Sequence, residues 1–130
     1  MKIENAKIQM RKGVLELCIL SIIAEKESYP SDIIERLGKS KLAVVQGTIY
    51  PLLMRLKNAG ILNYTWKESR TGPPRKYYQL TDEGELFLGE LSQTWDTLAH
   101  AVGESTKHYR QEMWDIFFTQ KIPEFSLRLI

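Results

Sequence analysis

The sequence predicts a mostly α fold with a single two-stranded wing, followed by a long amphipathic C-terminal helix. Three observations predict it. Apolar residues recur at helical spacing in three successive blocks before residue 60; one later block alternates like a strand pair around Gly72-Pro73-Pro74; and the chain then returns to a seam of residues three and four apart. With 130 residues, 43% of them hydrophobic and 26% charged, the chain has room for one core and one accessory segment.

The first block, Met10 to Glu25, reads MRKGVLELCILSIIAE and is apolar around most of its circumference, which predicts a largely buried central helix. Glu27 to Ser31 is a break in which Ser28 is the expected cap and Pro30 suits a first helical turn. The second helix is expected from Pro30 to Leu37, with Ile33, Ile34 and Leu37 on one face and Gly38 ending it. The third block places Ile49, Leu52, Leu53, Leu56 and Ala59 on an inner stripe and leaves Gln46, Thr48, Tyr50, Arg55 and Asn58 on other faces. Pro51 requires this helix to begin only a few residues earlier, which sets Gln46 to Tyr50 near its N-terminus, and Gly60 closes it.

Strand periodicity follows. Leu62, Tyr64 and Trp66 point one way and Asn63, Thr65 and Lys67 the other; SRTGPPR is the expected loop, and RKYYQL the returning strand. The hairpin is tipped by Arg70, Arg75 and Lys76. Thr81 is the expected N-cap of a last helix running from Asp82 to about Val102, with Asp82, Glu83 and Glu85 suited to the positive end of its dipole. Leu88, Leu91, Trp95, Leu98 and Val102 are separated by 3, 4, 3 and 4 residues, the spacing of a helix that pairs with another copy. Residues 1–80 therefore read as one domain, 81–102 as a dimerisation helix and 103–130 as a tail without an assigned role. That tail holds Trp114, Ile116, Phe117 and Phe118, then Pro123 and an apolar end at Leu127, Leu129 and Ile130. A further helix packed on the dimer, a partner-binding segment and sequence foreign to the natural gene are its open readings. Its aromatics are expected to be buried, because exposed they would promote aggregation.

Charge divides the same way. Residues 1–80 carry 14 Lys and Arg against 7 Asp and Glu, a net +7, while residues 81–130 carry 4 against 9, a net −5. A cationic front and an acidic rear suit a protein that meets phosphate with one part and protein with the other. No apolar run reaches the roughly 18 residues of a membrane span. The amino terminus, MKIENAKIQMRK, lacks a signal-peptide core, so a cytoplasmic location is expected. Cys18 is the single cysteine and lies among Leu17, Ile19 and Leu20, a setting for a buried thiol. His100 and His108 are eight apart and make no metal pair. With no glycine-rich phosphate loop either, neither an enzyme nor a cofactor or metal protein is expected.

Three helices, a basic hairpin and a long amphipathic helix, in that order, make the layout of a winged helix-turn-helix. In that layout the third helix enters the major groove and the wing follows the neighbouring backbone. Gln46 and Thr48 can then bond to bases, Tyr50 can donate to phosphate, and Lys41 and Arg55 can neutralise phosphates at either end, with Arg70, Arg75 and Lys76 on the wing. The expected target is a pseudo-palindromic duplex with half-sites about one helical turn apart.

GVLELCILSIIAE, YPSDIIERL, GTIYPLLMRLKNAGIL, SRTGPPRKYYQLT and DEGELFLGELSQTW together resemble the PadR family of bacterial transcriptional regulators, over roughly residues 10–102. The resemblance implies a homodimeric repressor of palindromic DNA, released by a small-molecule effector, with the C-terminal helix as dimerisation element. Thr48 and Tyr50 match the polar and aromatic positions of the family's recognition helix, and Arg75 and Lys76 match its basic wing. Trp95 falls where some small members hold planar hydrophobic ligands between paired aromatic rings, so a small hydrophobic or aromatic effector is one reading of it. A packed core residue is the other.

Overall fold

The computed structural model describes residues 2–120. The chain divides into two compact units, Met1–Gln93 and Thr94–Ile130. The first holds helices α1 (Ile3–Glu25), α2 (Pro30–Lys39) and α3 (Gln46–Asn58), strands β1 (Leu62–Ser69) and β2 (Gly72–Leu80), and the start of α4 (Asp82–Trp114).

α1 begins seven residues before the expected Met10. Its first ten residues lack an apolar face but contain no helix breaker, and Glu4 suits the first turn, where it pairs with Lys7 at 3.5 Å. Burial is confined to the later half, at Leu15, Ile19, Leu20 and Ile23, while Ile3, Ile8 and Met10 stay exposed. Arg36 of α2 closes its end, donating to the Ile22 carbonyl at 3.5 Å and pairing with Glu25.

Ser28 does not cap α2. Tyr29 occupies the cap position without a side-chain bond, and Ser28, fully buried, exchanges backbone bonds with Tyr78 (3.2 and 2.8 Å) as an isolated third-strand bridge. Pro30 opens the helix as expected, since a first-turn position needs no N–H donor. Gly38 does not end it. The helix runs on to Lys39, and the left-handed residue of the exit is Lys41 (φ 67°), beyond which the Leu42 N–H returns to the Leu37 carbonyl at 2.9 Å.

α3 begins at Gln46, so Pro51, its sixth residue, forgoes only the bond to the Gly47 carbonyl. Ile49, Leu52, Leu53 and Leu56 are buried, whereas Ala59, expected on the same stripe, is exposed just past the last turn. Gly60 closes the helix at φ 81°, a conformation that L side chains rarely adopt. The strands pair antiparallel from Leu62↔Leu80 to Lys67↔Arg75, and the turn is only Arg70-Thr71. The expected loop was too long: Pro73 and Pro74 belong to β2, at the wing's outer end, where the register shifts.

The core is one cluster. α1 supplies Leu15, Ile19, Leu20 and Ile23, α2 supplies Ile33 and Leu37, and α3 supplies Ile49, Leu52, Leu53 and Leu56, closed by Ile61, Leu62 and Tyr78. Each such side chain withdrawn from water contributes about 1.5–3 kcal/mol. Thr81 is the predicted cap of α4: its Oγ1 accepts from the Gly84 N–H (2.9 Å) and donates to the Gly60 carbonyl (2.6 Å), tying α4 to the exit of α3. Gly84 is required there, because an added Cβ would lie 2.1 Å from the Ile61 carbonyl oxygen.

In the second unit α4 continues past the expected end at Val102 to Trp114, and a π-helical turn, Asp115–Gln120, follows. Nothing between Gly103 and Trp114 breaks a helix, and Thr106 turns its hydroxyl to the Val102 carbonyl at 2.7 Å. Among the described residues of a single copy the tail aromatics are only partly covered. Trp114, Ile116 and Phe117 are 40%, 49% and 42% exposed, and the rings of Trp114 and Phe118 lie 4.2 Å apart by centroid along one helix. Pro123, Leu127, Leu129 and Ile130 fall outside the described residues.

Candidate nucleic-acid interface

Gln46, Thr48 and Tyr50 all lie exposed in the first turns of α3, as their spacing from the buried Ile49 requires. No acidic residue occupies that first turn, so the helix's positive end faces solvent without a competing carboxylate. The approach to it is anchored by Leu42 and Val44, half-buried against the core, with Lys41 exposed at the bend before them.

The wing presents two chemically different faces. On the core-side face Tyr64, Trp66, Lys76 and Tyr78 follow one another; the Lys76 Nζ lies 4.5 Å from the Tyr64 ring centroid and 5.3 Å from that of Trp66. On the other face the Arg75 guanidinium carbon lies 4.3 Å from the Tyr29 ring, and Lys67 pairs with Glu27. Neighbours in a strand alternate, so Arg75 and Lys76 cannot share a face. Both nevertheless border one cleft of about 360 Å³, together with Tyr29, Tyr50, Met54 and Trp66. Arg70 sits in the two-residue turn at the wing's tip.

Five of the predicted residues fall into three places, while Lys41, Gln46 and Arg70 lie at the bend before α3, in its first turn and at the wing's tip. Tyr50, Arg75 and Lys76 meet at the α3–wing cleft. Thr48 borders a second groove of about 390 Å³, formed by Ile8, Arg11, Lys12 and Leu15 of α1 with residues 42–45. Arg55, expected to neutralise a phosphate, lies in the last turn of α3 with its side chain 68% exposed and is ion-paired with Glu16 of α1. Sequence reasoning missed Tyr29, Trp66, Arg11 and Lys12. Trp66 was visible as a strand aromatic beyond the reach of the core, and it is 61% exposed. Tyr29 had no local signal, because its partner Arg75 is far away in sequence.

Burial pushes the Cys18 thiol up from its ordinary value, which keeps it protonated and poorly nucleophilic at neutral pH. Burial, reinforced by Tyr64 and Tyr50, likewise raises Tyr78. Among the described residues no three His, Cys, Asp or Glu converge as a metal site, and no helix is long and apolar enough to cross a membrane. On α4, Leu88 and Leu91 pack partly against the core, whereas Trp95, Leu98 and Val102 are 43%, 51% and 48% exposed.

Residues 19–90 match the model of the transcriptional regulator PadR-like family. Among solved structures, a PadR-like transcription factor from Bacteroides fragilis is 54% identical, with 77% of this chain and 97% of that one covered and a TM-score of 0.65. A PadR-like transcriptional regulator from Bacillus cereus is 42% identical over 74% of this chain and 94% of its own, with a TM-score of 0.68. Bacillus subtilis PadR, solved in complex with operator DNA, is 28% identical over 59% of this chain and 44% of its own, with a TM-score of 0.54. The family consists of transcriptional regulators and not of enzymes. With its family match spanning α1 to α4 and a winged-helix fold beneath it, the chain belongs to the PadR-like family of transcriptional regulators.

Proposed function

We propose that this chain is a homodimeric, sequence-specific DNA-binding repressor of its own or neighbouring genes, released from a pseudo-palindromic operator by a small hydrophobic or aromatic effector. One observation carries the DNA-binding part: Tyr50 of α3 and the cationic wing residues Arg75 and Lys76 border a single cleft. Base edges would be read from Gln46 and Thr48, and phosphates held by Lys41, Tyr50, Arg70, Arg75 and Lys76. The complex of the Bacillus subtilis relative with operator DNA supports the same reading.

Dimerisation is supported by the seam itself. Trp95, Leu98 and Val102 form an apolar line left in water by the single chain, which a second copy would cover. Trp95 on that line is the proposed effector contact, because a half-exposed indole can stack with a flat ligand at such a seam. The cytoplasm, where DNA is reached, is the proposed location.

Binding of fluorescent duplexes from the DNA upstream of the coding sequence tests the reading. The expected result is a specific complex, weakened steeply by salt, with Tyr50→Ala or Arg75→Ala reducing affinity about tenfold while sedimentation still reports a dimer. Failure to bind any such duplex at low salt defeats it. Quenching of tryptophan fluorescence by planar aromatic compounds, lost in Trp95→Leu, tests the effector contact.

A further inference from the structure

The connection between α1 and α2 grips the wing at three consecutive residues. Ser28 bridges backbone to backbone with Tyr78. Glu27 pairs with Lys67 of β1 and accepts a bond from the Gln79 Nε2 of β2 at 2.8 Å, and that same nitrogen reaches the Thr65 hydroxyl at 3.1 Å. Tyr29 meets Tyr77 edge-on, with ring centroids 5.2 Å apart and planes at 68°, and carries the Arg75 guanidinium over its face.

These contacts give the two outward cations of this wing face different duties. Lys67 is neutralised by a carboxylate. Arg75 is held by a neutral ring, which fixes the place of the guanidinium without consuming its charge. A guanidinium held over a ring still has N–H donors turned away from it, the groups that bond phosphate oxygens, and ordering it beforehand removes part of the conformational cost of binding. We propose that Tyr29 is a positioning residue for the DNA contact made by Arg75, a role that rests on the DNA-binding reading above and extends that contact to the start of α2. The aromatic ring, not the hydroxyl, performs it.

The test uses full-length protein and a fluorescein-labelled duplex enriched from a random pool by the wild type. Tyr29→Leu is expected to weaken binding roughly tenfold and Tyr29→Phe by no more than about twofold. In an Arg75→Ala background Tyr29→Leu is expected to add less than about twofold, because the residue it positions is gone. Free wild-type protein supplies a measurement independent of how the variants fold: the Arg75 δ-protons should resonate upfield of their random-coil position under the Tyr29 ring current. Equal losses in both backgrounds, an equal loss in Tyr29→Phe, or unshifted δ-protons with normal DNA binding would each overturn this role alone. A pool that yields no bound duplex overturns the DNA-binding reading and this role with it.

Discussion

Two apolar stripes in this chain have similar spacing and opposite surroundings. On α3, Ile49, Leu52, Leu53 and Leu56 are between 0% and 8% exposed, because α1, α2 and the wing close over them. On α4, Trp95, Leu98 and Val102 are between 43% and 51% exposed, in a unit whose described residues form one helix and its π-helical continuation. Periodicity identifies a face that must be covered; it does not say whether the cover comes from the same chain. Substitutions in the α3 stripe therefore test the folding of the single chain, and those in the α4 stripe test the proposed dimer.

The largest expected effect breaks the first stripe. Leu53→Ala should lower the stability of the first unit by about 2–5 kcal/mol, read by denaturant titration, since a fully buried leucine leaves a cavity. Leu98→Ala should leave unfolding of that unit within about 0.5 kcal/mol while raising the dimer dissociation constant about tenfold by sedimentation. Equal losses of fold stability from both would erase the distinction. The first turn of α4 belongs with the buried side of the comparison, so Gly84→Ala should cost about 1–3 kcal/mol as its methyl displaces the Ile61 backbone.

Smaller effects sharpen the boundary between what holds the fold and what meets DNA. Lys41→Gly should raise stability by about 1 kcal/mol, because glycine suits the left-handed conformation, yet weaken DNA binding as the cation is lost. A parallel loss of both properties would place Lys41 in the fold and not in the interface. Arg55→Ala is expected to matter least, changing stability by no more than about 1 kcal/mol through its exposed ion pair with Glu16. A salt dependence of DNA binding unchanged in this variant would confirm that Arg55 neutralises no phosphate; a shallower dependence would restore it to the interface.

Much of the fold was legible from local patterns. The order of helices and strands, the Pro30 start of α2, the Thr81 cap of α4 and the inner stripe at Ile49 to Leu56 all follow from rules that act within a few residues. Boundaries were less legible where nothing forced a change: α1 and α4 both run past their apolar patterns, because polar residues without a breaker continue a helix already begun. The hairpin loop failed for the opposite reason, since prolines that usually mark turns are tolerated at the unpaired end of a wing.

By itself, then, the sequence determined which side chains face inward on each element and where positive charge gathers. Tertiary structure alone decided which of those charges remain available. Glu16 and Arg55 are separated by 39 positions, Glu27 and Lys67 by 40, and Glu27 and Gln79 by 52. Periodicity carries no information over such distances, and only the closing of α1, α3 and the wing around one core brings these partners within reach. That closure ties Arg55 and Lys67 to carboxylates and sets Arg75 over a ring, so three cations of equal formal charge end in two different surroundings.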